Sequence, residues 1–308
     1  MDKLFHVLEA QQFSKDWLEE EFFPLVNEMK KMPKGEGKSI LPGKEMISFF
    51  YEPSTRTRLS FEVAMRRLGG EVIFCTDRAK EFSSVAKGET IEDTIRILCD
   101  NEPDVIVLRT DEDGMAHRAA DFSNVPIINA GDGTGQHPTQ ALLDVYTIRE
   151  EIGRIAGTSI AIVGDLNRGR TARSLAYLYA KYPDIKIYFV SPEAAKMKDD
   201  IKNHLREKNV PFEELYDLRE VASFVDVIYN TRVQKERGAQ ITKYGPPSFC
   251  TVNQKVLDLM KKEAIVMHPL PHEDEIAPEV DLDSRAAYFR QAKNGRFVRM
   301  ALLKMILT

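Results

Sequence analysis

The chain has 308 residues, of which 43% are hydrophobic and 30% are charged, and its 43 basic and 48 acidic side chains give a formal net charge of −5. This length fits about two domains of roughly 150 residues each. The acidic balance argues against non-specific binding to nucleic acids or anionic membranes, because such binding needs a basic face.

The chain also lacks the sequence signals of a membrane or secreted protein. No apolar run approaches the ~20 residues of a transmembrane helix, and the start, MDKLFHVLEAQQF, does not have the basic-then-apolar layout of a signal peptide. Three widely spaced cysteines without a CxxC motif support neither a disulfide framework nor a zinc site. We therefore expect a soluble, cytoplasmic, globular protein without a metal.

Short apolar runs rich in β-branched and aromatic residues alternate along the chain with stretches of helical period. Near-continuous apolar strands separated by helices indicate parallel sheets that are covered on both faces. Two sets of about four strands predict two doubly wound α/β domains of similar size. The predicted strands are residues 45–51, 71–74, 104–108 and 125–129 in the first half, and residues 159–165, 185–190, 225–229 and 264–268 in the second.

Two further segments of helical period bear on the domain organisation. Residues 139–152 contain no glycine or proline, which predicts a helix that joins the domains rather than a flexible linker. The last segment has helical period with one interruption at Gly295, and we expect it to pack back on the first domain. The predicted boundaries are residues 1–149 with 286–308 for the first domain, and residues 150–285 for the second.

The stretch FYEPSTRTRLSFE, residues 50–62, stands at the junction of a predicted strand and a predicted helix. Backbone N–H groups at a helix N-terminus, hydroxyl groups and a guanidinium together suit a phosphate, and an arginine fork can bind two oxygens. The alternative is that Ser54 or Thr55 only caps the helix while the arginines are solvated. The candidate phosphate ligands are Ser54, Thr55, Arg56 and Thr57.

Glu52 followed by Pro-Ser-Thr-Arg-Thr-Arg resembles the carbamoyl-phosphate signature of the aspartate/ornithine carbamoyltransferase family. Other stretches match this family in the expected order, so the resemblance covers nearly the whole chain. It implies a first domain that binds carbamoyl phosphate, a second that binds the amino acid, no cofactor, and a homotrimer. The matching stretches are SSVAKGET (83–90), NAGDGTGQHPTQALLD (129–144), VGDLNRGRT (163–171), TRVQKER (231–237) and MHPLPHEDEI (267–276).

The resemblance implies that three further residues of the first half bind carbamoyl phosphate. Arg109 ends a predicted strand, at the edge where parallel sheets place ligands. His137 and Gln140 lie one helical turn apart and face the same way, so His137 can donate to the carbonyl oxygen and Gln140 can accept from the NH₂ group. A solvated arginine and a histidine satisfied by the backbone are the alternatives. The predicted catalytic residues are Arg56, Thr57, His137 and Lys87.

Ser83 and Lys87 lie in a polar loop that contains glycine. Lysines in loops are usually solvated, which is the simpler interpretation of Lys87. The resemblance implies instead that both residues reach into the active site of a neighbouring subunit, where Lys87 meets the phosphate and the amino acid.

The segment VGDLNRGR suggests a dinucleotide site, but Gly164 and Gly169 do not fit the G-x-G-x-x-G spacing. Arg170, at the predicted start of a helix, suits a substrate carboxylate instead. The resemblance implies that Arg232 and Gln234 bind the same amino acid, although a charged surface loop is the alternative for that pair.

The prolines of MHPLP restrict the backbone around Leu270. The resemblance implies that Leu270 and Pro271 contact carbamoyl phosphate, while His268 is predicted to be structural. The family commonly has arginine where this chain has His272, which leaves the role of a positive charge at that position open.

The implied reaction transfers the carbamoyl group of carbamoyl phosphate to the amine of L-aspartate and yields N-carbamoyl-L-aspartate and phosphate, the committed step of de novo pyrimidine biosynthesis. The resemblance also implies, through Glu52, Pro269 and residues 231–234, a dianionic amino acid rather than ornithine. Three alternatives stay open: transfer to another amino acid such as ornithine, a nicotinamide-dependent oxidoreductase, and a non-catalytic anion-binding subunit. No motif tells whether regulatory chains join the trimer.

Overall fold

The computed structural model describes residues 4–232 and 249–308. The chain divides into two compact units, and both divisions fall inside helices rather than loops. One unit contains Met1–Leu142 and Asn294–Thr308, and the other contains Leu143–Lys293. No helix in the described ranges is both long enough and apolar enough to cross a membrane.

The first unit is built on a four-stranded sheet in which each strand pair is parallel. Its strands are β1 (Glu45–Phe50), β2 (Glu71–Thr76), β3 (Val105–Thr110) and β4 (Ile127–Asp132), in the spatial order β2-β1-β3-β4. Strands β1, β3 and β4 are buried along nearly their whole lengths, as expected for a parallel sheet covered on both faces.

The edge strand β2 departs from this expectation. Ile73 and Phe74 are 40% and 46% exposed, and Cys75 is exposed as well. An apolar run therefore predicts a strand correctly here without predicting its burial, because an edge strand has a neighbour on one side only.

The helices of the first unit follow their sequence signals. In the helix that begins within the PSTRTR segment, Phe61, Ala64, Met65 and Leu68 are fully buried at the spacing of one helical face, and Gly69 ends the helix at φ +95°. The helices are α1 (Phe23–Lys31), α2 (Thr55–Leu68), α3 (Ala79–Phe82), α4 (Ile91–Cys99) and α5 (Met115–Asp121).

The second unit contains a five-stranded parallel sheet in the spatial order β7-β6-β5-β8-β9. Its strands are β5 (Ser159–Val163), β6 (Lys186–Val190), β7 (Phe212–Leu215), β8 (Val227–Asn230) and β9 (Ile265–Met267). The remaining helices are α6 (Pro138–Ile152), which begins in the first unit, α7 (Arg170–Tyr179), α8 (Asp199–Glu207), α9 (Gln254–Leu259) and α10 (Tyr288–Leu307), which ends in the first unit.

The predicted fold class is confirmed, since two parallel α/β sheets are present and the final helix returns to the first unit. Helix α10 runs through Gly295 without interruption, and Lys304 Nζ lies 2.9 Å from Glu28 Oε1 in the first unit. Strand β7 was not predicted, because Glu213 and Glu214 break the apolar run and the segment becomes a strand by pairing with β6 at the sheet edge.

Candidate active site

The order β2-β1-β3-β4 creates a topological switch point between β1 and β3. The chain crosses from β1 to β2 on one side and then returns to β3 on the other. Connections that leave neighbouring strands in opposite directions open a crevice at the carboxyl ends of those strands, where parallel sheets bind ligands. Ser54 follows β1 and Arg109 lies near the end of β3, so both residues belong to this edge.

The start of α2 is not closed by the side chain of Ser54. This residue occupies the N-cap position without making a capping hydrogen bond, and its Oγ accepts a hydrogen bond from Nη1 of Arg109 at 3.3 Å. Thr55 and Arg56 are exposed in the first turn, while Thr57 is buried. The helix N-terminus thus lies beside a guanidinium, which is a favourable arrangement for an anion.

Arg109 is held at the switch point by its backbone and its side chain. Its carbonyl oxygen accepts the N–H of Tyr51 at 2.8 Å, and its Nη2 lies 3.3 Å from Oε2 of Glu52. The Arg109 side chain is only 15% exposed. A bound anion would therefore meet a guanidinium already oriented by Glu52 and Ser54, whereas sequence reasoning treated Glu52 only as a marker of specificity.

Asp132, the last residue of β4, stabilises the loop between β4 and α6 through hydrogen bonds. Its Oδ1 accepts the N–H of Gln136 at 2.6 Å, and its Oδ2 accepts the N–H of Gly114 at 3.0 Å. Gly133 has φ +39°, and a Cβ at that position would collide with Asp113. Sequence reasoning identified neither aspartate, although the GDGTG segment between a strand and a helix was the signal that pointed to this loop.

His137 and Gln140 lie at the beginning of α6, after the carboxyl end of β4. The carbonyl oxygen of His137 accepts the N–H of Gln140 at 3.0 Å, and the two residues are 3% and 8% exposed. Residues 54–57 follow β1, Arg109 lies near the end of β3, and His137 follows β4, and these three strands are adjacent in the sheet. The structure thus brings the predicted phosphate-site residues of the first unit to one edge of one sheet.

Ser83 and Lys87 lie on a separate short loop. The Oγ of Ser83 donates to the carbonyl oxygen of Ala79 at 2.5 Å and accepts the N–H of Val85 at 3.2 Å, so it shapes the 3₁₀ turn Ser84–Lys87. Lys87 is exposed at the end of this turn and forms no ion pair with any residue in the described ranges. The structure of one chain therefore does not join Lys87 to the cluster around Arg109.

Two ion pairs tie this loop to the same edge of the sheet. Lys80 pairs with Asp111, which follows β3, and the hydrogen bond to Asp111 raises the pKa of the Lys80 ammonium. Arg58 of α2 lies 2.9 Å from Asp77, which follows β2. These two ion pairs fix the segment from which the loop with Ser83 and Lys87 starts.

The second sheet has its own switch point, between β5 and β8. The chain leaves β5 towards β6 and β7 on one side and returns to β8 on the other. Arg170 begins α7, which follows β5, and is 5% exposed, while Arg232 follows β8 and is partly exposed. Of the three predicted amino-acid ligands that the structure describes, Arg170 and Arg232 therefore follow the two strands that flank this switch point, whereas Lys87 lies on the loop of the first unit described above.

Gly164 has a packing role at this switch point. It follows β5 with φ +116°, and a Cβ there would collide with the carbonyl oxygen of Thr231, which follows β8. Thr231 is fixed in turn, because its Oγ1 donates to the carbonyl oxygen of Val163 at 2.9 Å. Gly164 suggested a dinucleotide site because it lies in a turn between a strand and a helix. Close packing against Thr231 explains this glycine, so it no longer supports such a site. Gln234 lies outside the described residues.

Leu270 and Pro271 follow β9, at the carboxyl edge of the second sheet. Leu270 has φ +55°, and the peptide bond to Pro271 is cis. His272 lies 3.3 Å from Oδ1 of Asp281 through its Nε2, and its ring makes an edge contact with Tyr288. His272, at the position where the sequence comparison expected an arginine, therefore contacts a carboxylate of its own unit.

The predicted site residues that the structure describes are rich in cationic and hydroxyl groups, which suit an anion. No three histidine, cysteine, aspartate or glutamate side chains in residues 4–232 and 249–308 are grouped so that they could hold a metal ion. All three cysteines are free, and burial raises the pKa of Cys250 to about 12, which makes this thiol a poor nucleophile.

Two family models match the chain in succession. The model described as aspartate/ornithine carbamoyltransferase, carbamoyl-P binding domain, matches residues 6–150, and the model described as the Asp/Orn binding domain of the same family matches residues 156–306.

Named relatives and solved structures agree with these matches. The chain is 58% identical to the aspartate carbamoyltransferase, chloroplastic, of Oryza sativa over 99% of this chain and 85% of the relative. It is 46% identical to the aspartate carbamoyltransferase catalytic subunit of Methanocaldococcus jannaschii over 95% of this chain and 96% of the relative. The Trypanosoma cruzi aspartate transcarbamoylase in complex with carbamoyl phosphate and aspartate is similar with a TM-score of 0.91 and 40% identity, covering 99% and 98% of the two chains.

Proposed function

Because this chain belongs to the aspartate/ornithine carbamoyltransferase family, we propose that it is an enzyme that transfers the carbamoyl group of carbamoyl phosphate to the amine of L-aspartate. The products are N-carbamoyl-L-aspartate and phosphate, and the reaction is the committed step of pyrimidine biosynthesis. The observation that carries the proposal is the open start of α2 beside Arg109 at the first switch point.

We assign carbamoyl phosphate chiefly to the first domain, residues 1–149 with 286–308, and aspartate to residues 150–285, which also contain the proposed carbamoyl phosphate ligands Leu270 and Pro271. The phosphate needs several positive or N–H-bearing groups, and its carbonyl oxygen needs donors that persist as negative charge builds up there. Thr55, Arg109 and His137 are the proposed donors to that oxygen. The proposed carbamoyl phosphate ligands are Ser54, Thr55, Arg56, Thr57, Arg109, His137, Gln140, Leu270 and Pro271.

The chemical step needs no nucleophilic side chain. The aspartate amine attacks the carbamoyl carbon, the bond from that carbon to the phosphate oxygen breaks, and the departing phosphate accepts the amine proton. Positioning two bound substrates can contribute roughly 7–11 kcal/mol to such a step. Donors aimed at the developing oxyanion add to this because they are oriented before the reaction, as Arg109 is by Glu52 and Ser54.

Selection of aspartate is assigned to Arg170, Arg232 and Gln234. Two guanidinium groups at the second switch point match the two carboxylates of aspartate, and ornithine would leave one guanidinium without a partner. Ornithine transfer is therefore the weaker second candidate.

A homotrimer is the proposed working assembly. The edge strand β2 and the neighbouring helix α3 expose Ile73, Phe74 and Phe82, the last at 75% exposure, and an exposed apolar group of this kind is typical of a protein interface. The loop with Ser83 and Lys87 begins beside it, which supports the assignment of both residues to a neighbour's active site. The proposed compartment is the cytoplasm, whereas the rice relative is named as chloroplastic.

A colorimetric assay for the carbamoyl amino acid, run in parallel with aspartate and ornithine, tests the proposed function. We expect product from carbamoyl phosphate and aspartate and at most a trace from ornithine. Equal rates with both amino acids would contradict the assignment of Arg170 and Arg232, and no product with either would contradict the proposed activity.

A further inference from the structure

The segment from His268 to Glu275 follows β9 and contains a residue with a strained backbone, Leu270. Leu270 lies in the left-handed region at φ +55°, which is unfavourable for a residue with a Cβ. Such a residue keeps this conformation only where its surroundings hold it. The contacts around Leu270 therefore show what supports the backbone at this position.

A buried histidine and a buried glutamate make those contacts. The N–H of Leu270 donates to Nδ1 of His268 at 2.8 Å, and Nε2 of His268 lies 2.9 Å from Oε1 of Glu275. The same carboxylate oxygen accepts the N–H of Glu273 at 3.1 Å. His268 and Glu275 are 1% and 2% exposed, so two loop N–H groups are tied to one pair of side chains inside the unit.

The hydrogen bonds define the protonation of this pair. Because Nδ1 of His268 accepts the N–H of Leu270, the ring proton lies on Nε2, which donates to Glu275. Burial alone would raise the pKa of Glu275, but the hydrogen bond from His268 and the N–H of Glu273 lower it, so the carboxylate is the form present. Gln291 also fixes the backbone of His268, since its Oε1 accepts the N–H of His268 at 2.9 Å.

We infer that the buried His268–Glu275 pair is a positioning device that holds Leu270 and Pro271 in the conformation that binds carbamoyl phosphate. This inference rests on the proposed function and deepens it. Neither side chain is assigned to the substrate, so both act through the backbone of the loop, and their loss should weaken binding of the carbamoyl substrate selectively.

Two substitutions separate the two hydrogen bonds of His268. The amide oxygen of His268→Asn stands near the former Nδ1 and can still accept from Leu270. The amide nitrogen of His268→Gln stands near the former Nε2 and can still donate to Glu275, but the Leu270 N–H loses its acceptor. We expect His268→Gln to raise KM for carbamoyl phosphate about fivefold or more above His268→Asn, as loss of the acceptor of a buried N–H implies, with KM for aspartate changed much less.

Binding of phosphonoacetamide, a stable analogue of carbamoyl phosphate, gives a readout that does not depend on turnover. Its Kd should rise in His268→Gln in parallel with the KM. Wild-type protein that forms no product would count against the proposed activity alone, whereas equal Kd values in the two histidine variants would overturn the positioning role.

Asp226→Asn is the matched control for lost stability. Asp226 accepts the N–H of Ser159 and pairs with Lys261, both at 2.8 Å, at the amino ends of β5 and β8 and so at the opposite edge of the sheet from Leu270. Urea unfolding ranks the variants by stability. If Asp226→Asn raised the Kd of the analogue as much as His268→Gln at a similar loss of stability, the inference would be wrong.

A second pair of variants covers the case in which His268→Gln does not fold. Glu275→Gln keeps an acceptor oxygen at full length, whereas Glu275→Asp keeps the charge but withdraws the oxygen by one methylene. We expect the weaker analogue binding in Glu275→Asp. Binding unchanged from wild type in a folded Glu275→Asp protein would also overturn the inference.

Discussion

Arg56 is exposed in the first turn of α2, and we propose that its guanidinium serves a ligand rather than the core. We expect Arg56→Ala to lower kcat/KM by about 100-fold or more, because loss of one engaged transition-state contact costs about 3 kcal/mol. Folding should be nearly unaffected. Trp17 is the chain's single tryptophan and is buried between Phe13 and Phe22 in the same unit, so its fluorescence during urea unfolding measures that stability.

Arg66→Ala is the control for this prediction. Arg66 is an exposed arginine in the last turn of the same helix, so its removal changes the net charge equally at the far end from the proposed site. We expect near-normal turnover in this variant. Similar losses of activity in both variants would show that the charge of α2 as a whole, rather than the position of Arg56, supports activity.

Arg232 should act on one substrate only. Arg232 follows β8 and is a proposed ligand of a substrate carboxylate. Because Arg232→Ala removes a charged hydrogen bond, it should raise KM for aspartate about tenfold or more. The KM for carbamoyl phosphate should stay within about twofold of the wild-type value. Arg219→Ala, which removes a surface arginine paired with Asp217 in the same unit, is the control. Equal damage to both KM values in Arg232→Ala would argue against a dedicated aspartate contact.

At the scale of elements, the close approach of the segments that follow β5 and β8 depends on Gly164. A methyl group at this residue would collide with the backbone of Thr231, and the φ of +116° is unfavourable for alanine as well. We expect Gly164→Ala to destabilise the protein by roughly 3 kcal/mol or more, since the colliding atom is backbone and must move. Urea unfolding followed by far-ultraviolet circular dichroism measures this loss.

Gly153→Ala separates the collision from the backbone strain. Gly153 belongs to the same unit and has φ +84°, but open space surrounds the position of its Cβ. Its replacement should therefore cost only about 1 kcal/mol, the strain of a positive φ. If both variants lost the same stability, packing against Thr231 would not be the reason for a glycine at 164.

At the scale of the whole molecule, the proposed trimer makes a prediction that no single variant can test. Lys87→Ala and Arg56→Ala should each lose most of their activity, yet on the proposed sharing their lesions affect opposite sides of a subunit boundary. After both variants are unfolded and reassembled together, about a quarter of the sites should be intact, because each of two adjacent positions must hold the right chain. Activity of the mixture, measured with carbamoyl phosphate and aspartate, should therefore rise well above both parents.

Native mass measurement provides the control by confirming mixed trimers. Mixed trimers whose activity equals the average of the parents would assign Lys87 to its own chain's active site or to no active site. A monomer in solution would contradict the proposed assembly directly.

The sequence by itself determined the alternation of strands and helices, the start of α2 after Pro53 and the residue types of the proposed anion site. These features are local: apolar period, a helix-start signal and a run of hydroxyl and guanidinium groups lie within a few residues of one another. Strand β7 escaped prediction for the complementary reason, because Glu213 and Glu214 join a sheet only through pairing with β6.

Only the tertiary structure decided which residues meet. Ser54 turns to Arg109, 55 residues away, instead of capping its own helix. Gly164 must be a glycine because Thr231 arrives beside it from another strand, and Asp132 fixes the loop before His137 through the N–H of Gly114. These contacts depend on the order of strands in each sheet, and that order is set by the packing of residues far apart in the chain rather than by any local pattern.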